Sequence, residues 1–273
     1  MKKIKFSVLM SVYKNDKPEY VKIAIDSLLN QTLIPNQIVI IADGPISKEL
    51  EKLLKECQKN EIFNIYFRKE NLGLGLTLNE GINYCKYDYI ARMDADDESL
   101  PTRFEKQIKF LENYPEIDAV GCIIDEYDEN MEKYICKRVV PETSEEINKF
   151  VKKRNPINHP TIVYKKTKVQ SANSYEDYPY FEDYYLWAKM IKTNCKFYNI
   201  QESLYKFRAG SSMYKRRGGK KYLSSIKKFE KGLLELNLIN KKEYKMNIIK
   251  RYIGALIPNK LRVILYKHLL RKN

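Results

Sequence analysis

The 273-residue chain has no Cys-x-x-Cys pair, no Gly/Ser linker, no internal repeat and no run of about 18 uncharged apolar residues. Each absence removes a class of protein. Its five cysteines, Cys57, Cys85, Cys122, Cys136 and Cys195, are odd in number and scattered. That pattern suits neither a zinc site nor a disulfide framework and points to a reducing cytoplasm. The missing apolar run leaves no candidate membrane-spanning helix. Lys2, Lys3 and Lys5 ahead of Phe6–Val12 imitate a signal peptide, but the apolar stretch is short and interrupted by Ser7 and Ser11. With Lys14-Asn15-Asp16 following and no small-residue cleavage site, it reads as a first buried strand.

Charge excess is also missing from most of the chain. Of the 50 Lys and Arg, 18 lie from Met213 onward, against 3 of the 35 Asp and Glu, which leaves residues 1–212 with 32 of each. The whole formal charge of +15 is therefore carried by the C-terminal segment. A neutral globular part with a cationic end is not the footprint of a general nucleic-acid binder. An apolar fraction of 44% with 31% charged residues suits a folded globular protein.

What is present is an alternation. Apolar runs at Ile4–Val12, Gln37–Ala42, Phe63–Arg68, Tyr87–Met93 and Ala119–Asp125 predict strands. Helical patterns lie between them at Pro18–Asn30, Ser47–Asn60, Leu74–Cys85 and Pro101–Asn113, with Pro18 and Pro101 in first turns and Ser47 as an N-cap. This rhythm predicts a mostly parallel, doubly wound α/β sheet that places ligands at the carboxyl ends of its strands. The second half is less regular. A helix is expected over Glu142–Lys153, a short strand at Thr161–Tyr164, an aromatic segment Tyr175–Tyr185 leading into a helix through Trp187 and Met190, and a last strand at Lys196–Ile200. Beyond Arg216 the pattern is helical and basic, broken at Pro258.

Chemistry-bearing residues gather at the predicted strand ends. Strand one ends in Ser11-Val12-Tyr13, where a backbone edge and a ring can hold a nucleobase. Strand two ends in Asp43-Gly44-Pro45, a carboxylate for a base N–H or an ordinary turn. Asn71-Leu72-Gly73-Leu74-Gly75 opens the third helix and frees N–H groups for a polar or anionic ligand, without the dinucleotide-binding spacing. The fourth strand ends in Asp94-Ala95-Asp96-Asp97. Three crowded carboxylates repel one another unless a cation or donors compensate them. A hard divalent ion shared with a diphosphate would do so; an acidic turn capping the next helix is the structural alternative.

In order along the chain, Phe6–Tyr13, Ile41–Pro45, Asn71–Asn79, Ala91–Asp97, Arg103–Gln107 and Glu182–Trp187 resemble the family-2 glycosyltransferases, inverting enzymes of the GT-A fold. The likeness spans roughly residues 4–212 and looks closest to the branch that builds bacterial exopolysaccharide, capsule or lipopolysaccharide. It implies a Rossmann-like mixed sheet flanked by helices over residues 1–212, with a nucleotide-sugar half to about residue 125, an acceptor half after it, and a basic helical extension over 213–273. It implies base contacts from Tyr13 and Asp43, with Ser11, Asn71, Gly73 and Arg92 in the same donor site. Asp94 would touch the ribose or sugar, Asp96 would bind Mn²⁺ or Mg²⁺ bridging the diphosphate, and Asp183 would be the general base. Arg92 also suits a structural pair with one of the acids. Ala42 departs from the family pattern, in which a second acid often precedes the Asp-Gly.

His159, Glu182, Trp187, Arg208, Arg216 and Arg217 are candidate acceptor or diphosphate contacts. Each also has a plain structural reading: a satisfied turn, a helix-start acid, aromatic packing, or the start of the cationic tail. The expected reaction moves a sugar from a nucleotide donor, UDP-linked by default, to a saccharide or lipid-linked saccharide. A sugar nucleotidyltransferase would want a Gly-rich basic signature after strand one, which Asn15-Asp16-Lys17 does not supply. A phosphohydrolase would carry its Asp-x-Asp on the first strand. A membrane- or nucleic-acid-binding module would use the basic tail, Lys241–Asn273, which reads either as an amphipathic helix on an anionic membrane or as a helix packed on the domain. The first of these would make the protein cytoplasmic and peripheral to the inner membrane.

Overall fold

A computed structural model of the chain describes residues 3–210 and 218–257. Four strands, β1 (Phe6–Val12), β2 (Gln37–Ala42), β3 (Phe63–Phe67) and β4 (Tyr89–Met93), form a parallel block in the order β3-β2-β1-β4. Their helices are α1 (Pro18–Leu29), α2 (Lys48–Cys57) and α3 (Leu74–Tyr84). Both faces of the block are covered, so its strands are almost wholly apolar and neighbouring residues serve opposite cores. Val8 and Met10 of β1 pack with α1, α2 and α4 (Arg103–Asn113), while Leu9 packs with α3. Ser47 caps α2 by accepting the Leu50 N–H at 3.1 Å, as its position suggests.

The sheet continues differently from the expected mostly parallel array. Antiparallel β8 (Val163–Lys165) joins β4 to β6 (Ala119–Tyr127), which pairs in parallel with β9 (Phe197–Arg208). The whole order is β3-β2-β1-β4-β8-β6-β9-β5, with β7 (Tyr134–Arg138) on β6. The result is a mixed sheet. The strand expected at Lys196–Ile200 runs on to Arg208, because register shifts beside Ile123 let it bend while keeping its pairing with β6. Its far half meets β5 (Glu98–Ser99), a two-residue strand too short to show in the apolar pattern. The hairpin strand β7 and the short helix α6 (Lys166–Ser171) were likewise not signalled, since β7 is short and ends in Lys137-Arg138 and α6 is largely polar. Helix α5 (Ser144–Phe150) is shorter than the expected Glu142–Lys153, starting at a Thr143–Glu146 capping box.

Helix α7 (Glu182–Lys192) joins two cores. Leu186, Trp187 and Met190 face the sheet, whereas Phe181, Tyr184, Tyr185 and Ala188 face two further helices, α8 (Gly219–Glu235) and α9 (Lys241–Leu256). Over Gly219–Glu235 and Lys241–Leu256 the basic extension is therefore packed against the rest of the chain. Phe181 stacks on Phe229 of α8 with centroids 4.6 Å apart. Fully buried Glu230 accepts from Arg251 Nε at 2.5 Å and Asn247 Nδ2 at 3.1 Å, joining α8 to α9. Removing one member leaves a buried charge without its partner, which is far more costly than losing the pair outright. Arg251→Ala is therefore expected to lower unfolding stability by about 3 kcal/mol, and a Glu230→Leu/Arg251→Met double variant to recover most of it, measured by urea denaturation.

Candidate active site

Strands β1, β2 and β4 run parallel, so Ser11, Tyr13, Asp43 and the Asp94–Asp97 loop all emerge along one edge of the sheet. Ser11 and Tyr13 are half-buried there, and Asp16 receives the Tyr13 N–H at 2.8 Å. Asp43 is 3% exposed and its carboxylate is engaged on both oxygens. Oδ1 accepts from Leu72 N at 2.9 Å and Arg68 Nη1 at 3.2 Å, and Oδ2 from Gly73 N at 2.9 Å. Asn71 donates through Nδ2 to the Asp43 carbonyl at 2.9 Å. Gly44, at φ +87°, lets the loop lie against this turn, since a Cβ there would come within 2.7 Å of Asn71 N. In this structure Asp43, Asn71 and Gly73 thus build one another's geometry, with Asp43 as anchor of the Arg68–Gly73 loop.

The acids at the end of β4 separate into three environments. Asp94 pairs through Oδ1 with Arg92 Nη2 at 2.6 Å, and Arg92 is itself buried to 1% exposure. Arg92 therefore lies within the protein, where the Asp94 charge offsets the burial that opposes its cationic form. Asp96 projects to solvent. Asp97 is fully buried and is held by β9, accepting the Arg208 N–H at 2.8 Å through Oδ1. Burial, then the Asp96 and Asp94 charges, push its carboxyl well above the ordinary carboxylate range, and its Oδ2 has no hydrogen-bond partner. Asp97 is not the cap of α4, whose N-cap residue is Thr102.

Arg208 is also placed otherwise than expected. It is 6% exposed, its Nε donates to the Asp96 carbonyl at 2.7 Å, its Nη1 bonds the Glu129 carbonyl, and its guanidinium lies 3.7 Å over the Tyr20 ring. It braces the acidic loop from within the fold and does not project over the sheet edge as a diphosphate clamp would. Arg216 and Arg217 lie outside the described residues.

The second acidic group sits at the start of α7. Gly75 of α3 allows this approach: a Cβ there would be 2.7 Å from the Glu176 carbonyl and 3.2 Å from Glu182 Cβ. Asp183 accepts from Asn155 Nδ2 at 2.6 Å through Oδ2. Burial raises its carboxyl above the usual range, partly offset by that hydrogen bond and by backbone N–H groups at the helix start. Glu182 is pushed up to about 7, first by burial and then by the charge of Asp183, and its buried Oε2 has no hydrogen-bond partner. Asp94 contributes to raising both groups, so the two acidic clusters face each other electrostatically.

His159 is half-buried, with Nε2 2.9 Å from Tyr175 OH and its ring 6.0 Å from Trp187. Burial and neighbouring Arg92 hold its pKa well below the usual histidine value, so it is neutral. Trp187 was a candidate acceptor contact, but it is wholly buried in the core between α7 and the sheet. Its aromatic surface is used for packing and cannot reach a ligand.

Some contributors had no role assigned from sequence. Arg68 was seen only as the last residue of a strand. Buried Arg103 donates to the Arg92 carbonyl at 2.8 Å and to Gln107 at 3.0 Å, while Gln107 Nε2 reaches the carbonyls of Val120 and Thr161 at 3.0 and 2.8 Å. Two polar residues at i and i+4 on an otherwise apolar helix face were the available signal. Asn155 and Tyr205 had no local signal, since Tyr205 OH meets Asp94 N, at 3.3 Å, across 111 residues.

Among the described residues no three His, Cys, Asp or Glu side chains converge as a closed metal cage. A one-carboxylate foothold nevertheless fits a hard divalent ion that takes its other oxygens from a diphosphate and water. Of the carboxylates at this strand end, Asp96 is the exposed one, with Asp94 half-buried and Asp97 buried.

The family profile described as glycosyl transferase family 2 matches residues 7–178. The chain is 36% identical over 262 residues to the amylovoran biosynthesis glycosyltransferase AmsE of Erwinia amylovora, covering 96% of this chain and 98% of that one. It is 33% identical over 269 residues to the Escherichia coli UDP-Gal:alpha-D-GlcNAc-diphosphoundecaprenol beta-1,3-galactosyltransferase, covering 98% and 97%. The fold matches S. aureus TarS in complex with UDP-GlcNAc at TM-score 0.65 and 15% identity, covering 91% of this chain and 72% of that one. It also matches the mannosyltransferase PcManGT of Pyrobaculum calidifontis in complex with GDP-Man and Mn2+, at TM-score 0.62 and 11% identity, covering 95% and 72%. The mixed α/β sheet is that of the GT-A glycosyltransferases, and the chain belongs to glycosyl transferase family 2.

Proposed function

We propose that this glycosyltransferase moves a sugar, with inversion, from a nucleotide-sugar donor to a saccharide or lipid-linked saccharide in bacterial surface-polysaccharide synthesis. The observation that supports this reading is the nearness of two acidic groups: the charge of Asp94, just past the end of β4, reaches both Glu182 and Asp183 at the start of α7. UDP is the default nucleotide, supported by the UDP-Gal in the name of the E. coli relative. That relative's diphosphoundecaprenol-linked acceptor supports a lipid-linked acceptor here, and with it work at the cytoplasmic face of the membrane.

The donor's base would lie between Tyr13 and the wall made by Asp43 and Arg68, with Ser11, Asn71 and Gly73 lining the same strand ends. Asp94, held by Arg92, would contact ribose or sugar hydroxyls. Asp96 would hold Mn²⁺ or Mg²⁺, which supplies Lewis-acid stabilisation of the departing diphosphate. A sugar hydroxyl is a poor nucleophile near neutral pH, so Asp183 takes its proton during attack on the anomeric carbon. Burial makes this carboxylate a stronger base than one in water, while Asn155 fixes its orientation. Glu182, beside it, would bond an acceptor hydroxyl, with His159 and its Tyr175 partner as support for the site.

Asp183→Asn is expected to lower kcat about 10³-fold while donor-induced thermal stabilisation persists, read by nucleoside diphosphate release and melting. Unaltered turnover would exclude Asp183 as the base. Asp96→Ala is expected to abolish the Mn²⁺-dependent part of UDP binding, measured by calorimetry with and without the ion. Since burial raises the Asp183 carboxyl, activity should fall as pH drops, along an acidic limb that lies above the ordinary Asp range. The rise at Asp183 comes from burial and the Asp94 charge, so Glu182→Gln should leave the acidic limb of the kcat/KM profile largely in place.

A further inference from the structure

Of the twelve large apolar side chains that stand exposed among the described residues, four lie on α9: Met246, Ile249, Ile253 and Leu256. The other eight are scattered over the surface. At 100° per residue these four fall within about 80° of arc, centred about 120° round the helix from the face that Tyr244, Ile248 and Tyr252 turn toward α8. Their exposure runs from 42% at Met246 to 70% at Leu256, so the stripe is bare along nearly three turns of helix. Lys245 and Lys250 flank it on either side and Lys242 stands at its upper end, all exposed. The sole acid of the helix, Glu243, is turned aside into the capping box with Asn240.

An apolar stripe bordered by lysines on one surface helix matches an anionic lipid surface in both chemistry and charge. A second copy of the chain would have to bring these lysines against its own. The position of the helix gives the contact a use. Asn247 of α9 donates to the Lys152 carbonyl at 2.9 Å and Arg251 to the Lys153 carbonyl at 3.3 Å. Two residues on, Asn155 holds Asp183 at 2.6 Å. The stripe and the catalytic carboxylate are thus joined through one short segment of chain.

We infer that the Met246–Leu256 face of α9 docks the enzyme on an anionic membrane, with the apolar stripe inserted at the headgroup boundary and the lysines on the lipid phosphates. This rests on the reading of a lipid-linked acceptor, but it is tested apart from it. Full-length protein is floated with vesicles of equal parts phosphatidylglycerol and phosphatidylcholine, or of phosphatidylcholine alone, at low salt. The parent should bind the mixed vesicles preferentially. Ile249→Glu/Ile253→Glu should reduce that binding about tenfold or more, and Lys242→Glu/Lys245→Glu/Lys250→Glu should remove the preference for anionic lipid. Both variants should keep their donor-induced thermal shift. Undiminished binding by Ile249→Glu/Ile253→Glu overturns the inference. So does a vesicle-silent parent whose dimer, by sedimentation, is broken by those substitutions, since the face would then belong to a second copy. Vesicle binding that follows the stripe while no lipid-linked acceptor yields nucleoside diphosphate upholds the docking and removes only the acceptor reading.

Discussion

The crowding of three carboxylates at the end of β4 is the constraint around which this fold is arranged. Left to itself, such a cluster opposes folding. The chain relieves it by giving each acid a different surrounding. A buried guanidinium pairs with Asp94, the backbone of β9 holds Asp97, and Asp96 stands at the surface. The long bent strand β9 and the two-residue β5 then have a clear purpose. Together they fasten the acidic loop through Tyr205, Lys206 and Arg208, the last of which grips the loop's own carbonyl.

A parallel arrangement governs the other acid pair. Helix α7 is clamped between the sheet core, through Trp187, and the C-terminal helices, through Phe181 and Tyr184. That clamp keeps its first turn in place, so Asp183 is positioned by packing as well as by Asn155. The buried Glu230–Arg251 pair belongs to the same support, since Arg251 lies 5.5 Å from the Tyr184 ring and reaches the segment that precedes Asn155. The basic extension is thus structural near the domain and chemically distinctive on its outer face.

The first half of the fold was legible because parallel strands covered on both sides are continuous apolar runs, separated by helices with their own caps. Phe6–Val12 and Gln37–Ala42 needed no further context. Strands β5 and β7 were not legible, since polar residues such as Glu98 and Lys137 become strand only by pairing with a distant partner. Trp187 shows the same limit for the site. An aromatic beside an acidic pair suits a sugar-facing wall and a core anchor equally, and the side of the helix it occupies decides.

By itself the sequence determined the order of the strand ends, the acids they carry and the neutrality of residues 1–212, because periodicity, capping and charge are local properties. Only the tertiary structure decided which acid is neutralised, which is buried and which is left outward. Those outcomes depend on Tyr205 and Arg208, more than a hundred residues downstream of the acids they serve, and on Asn155, which the fold alone brings to Asp183. A carboxylate's chemistry is set by desolvation and by the charges around it, and neither exists until distant segments are packed together.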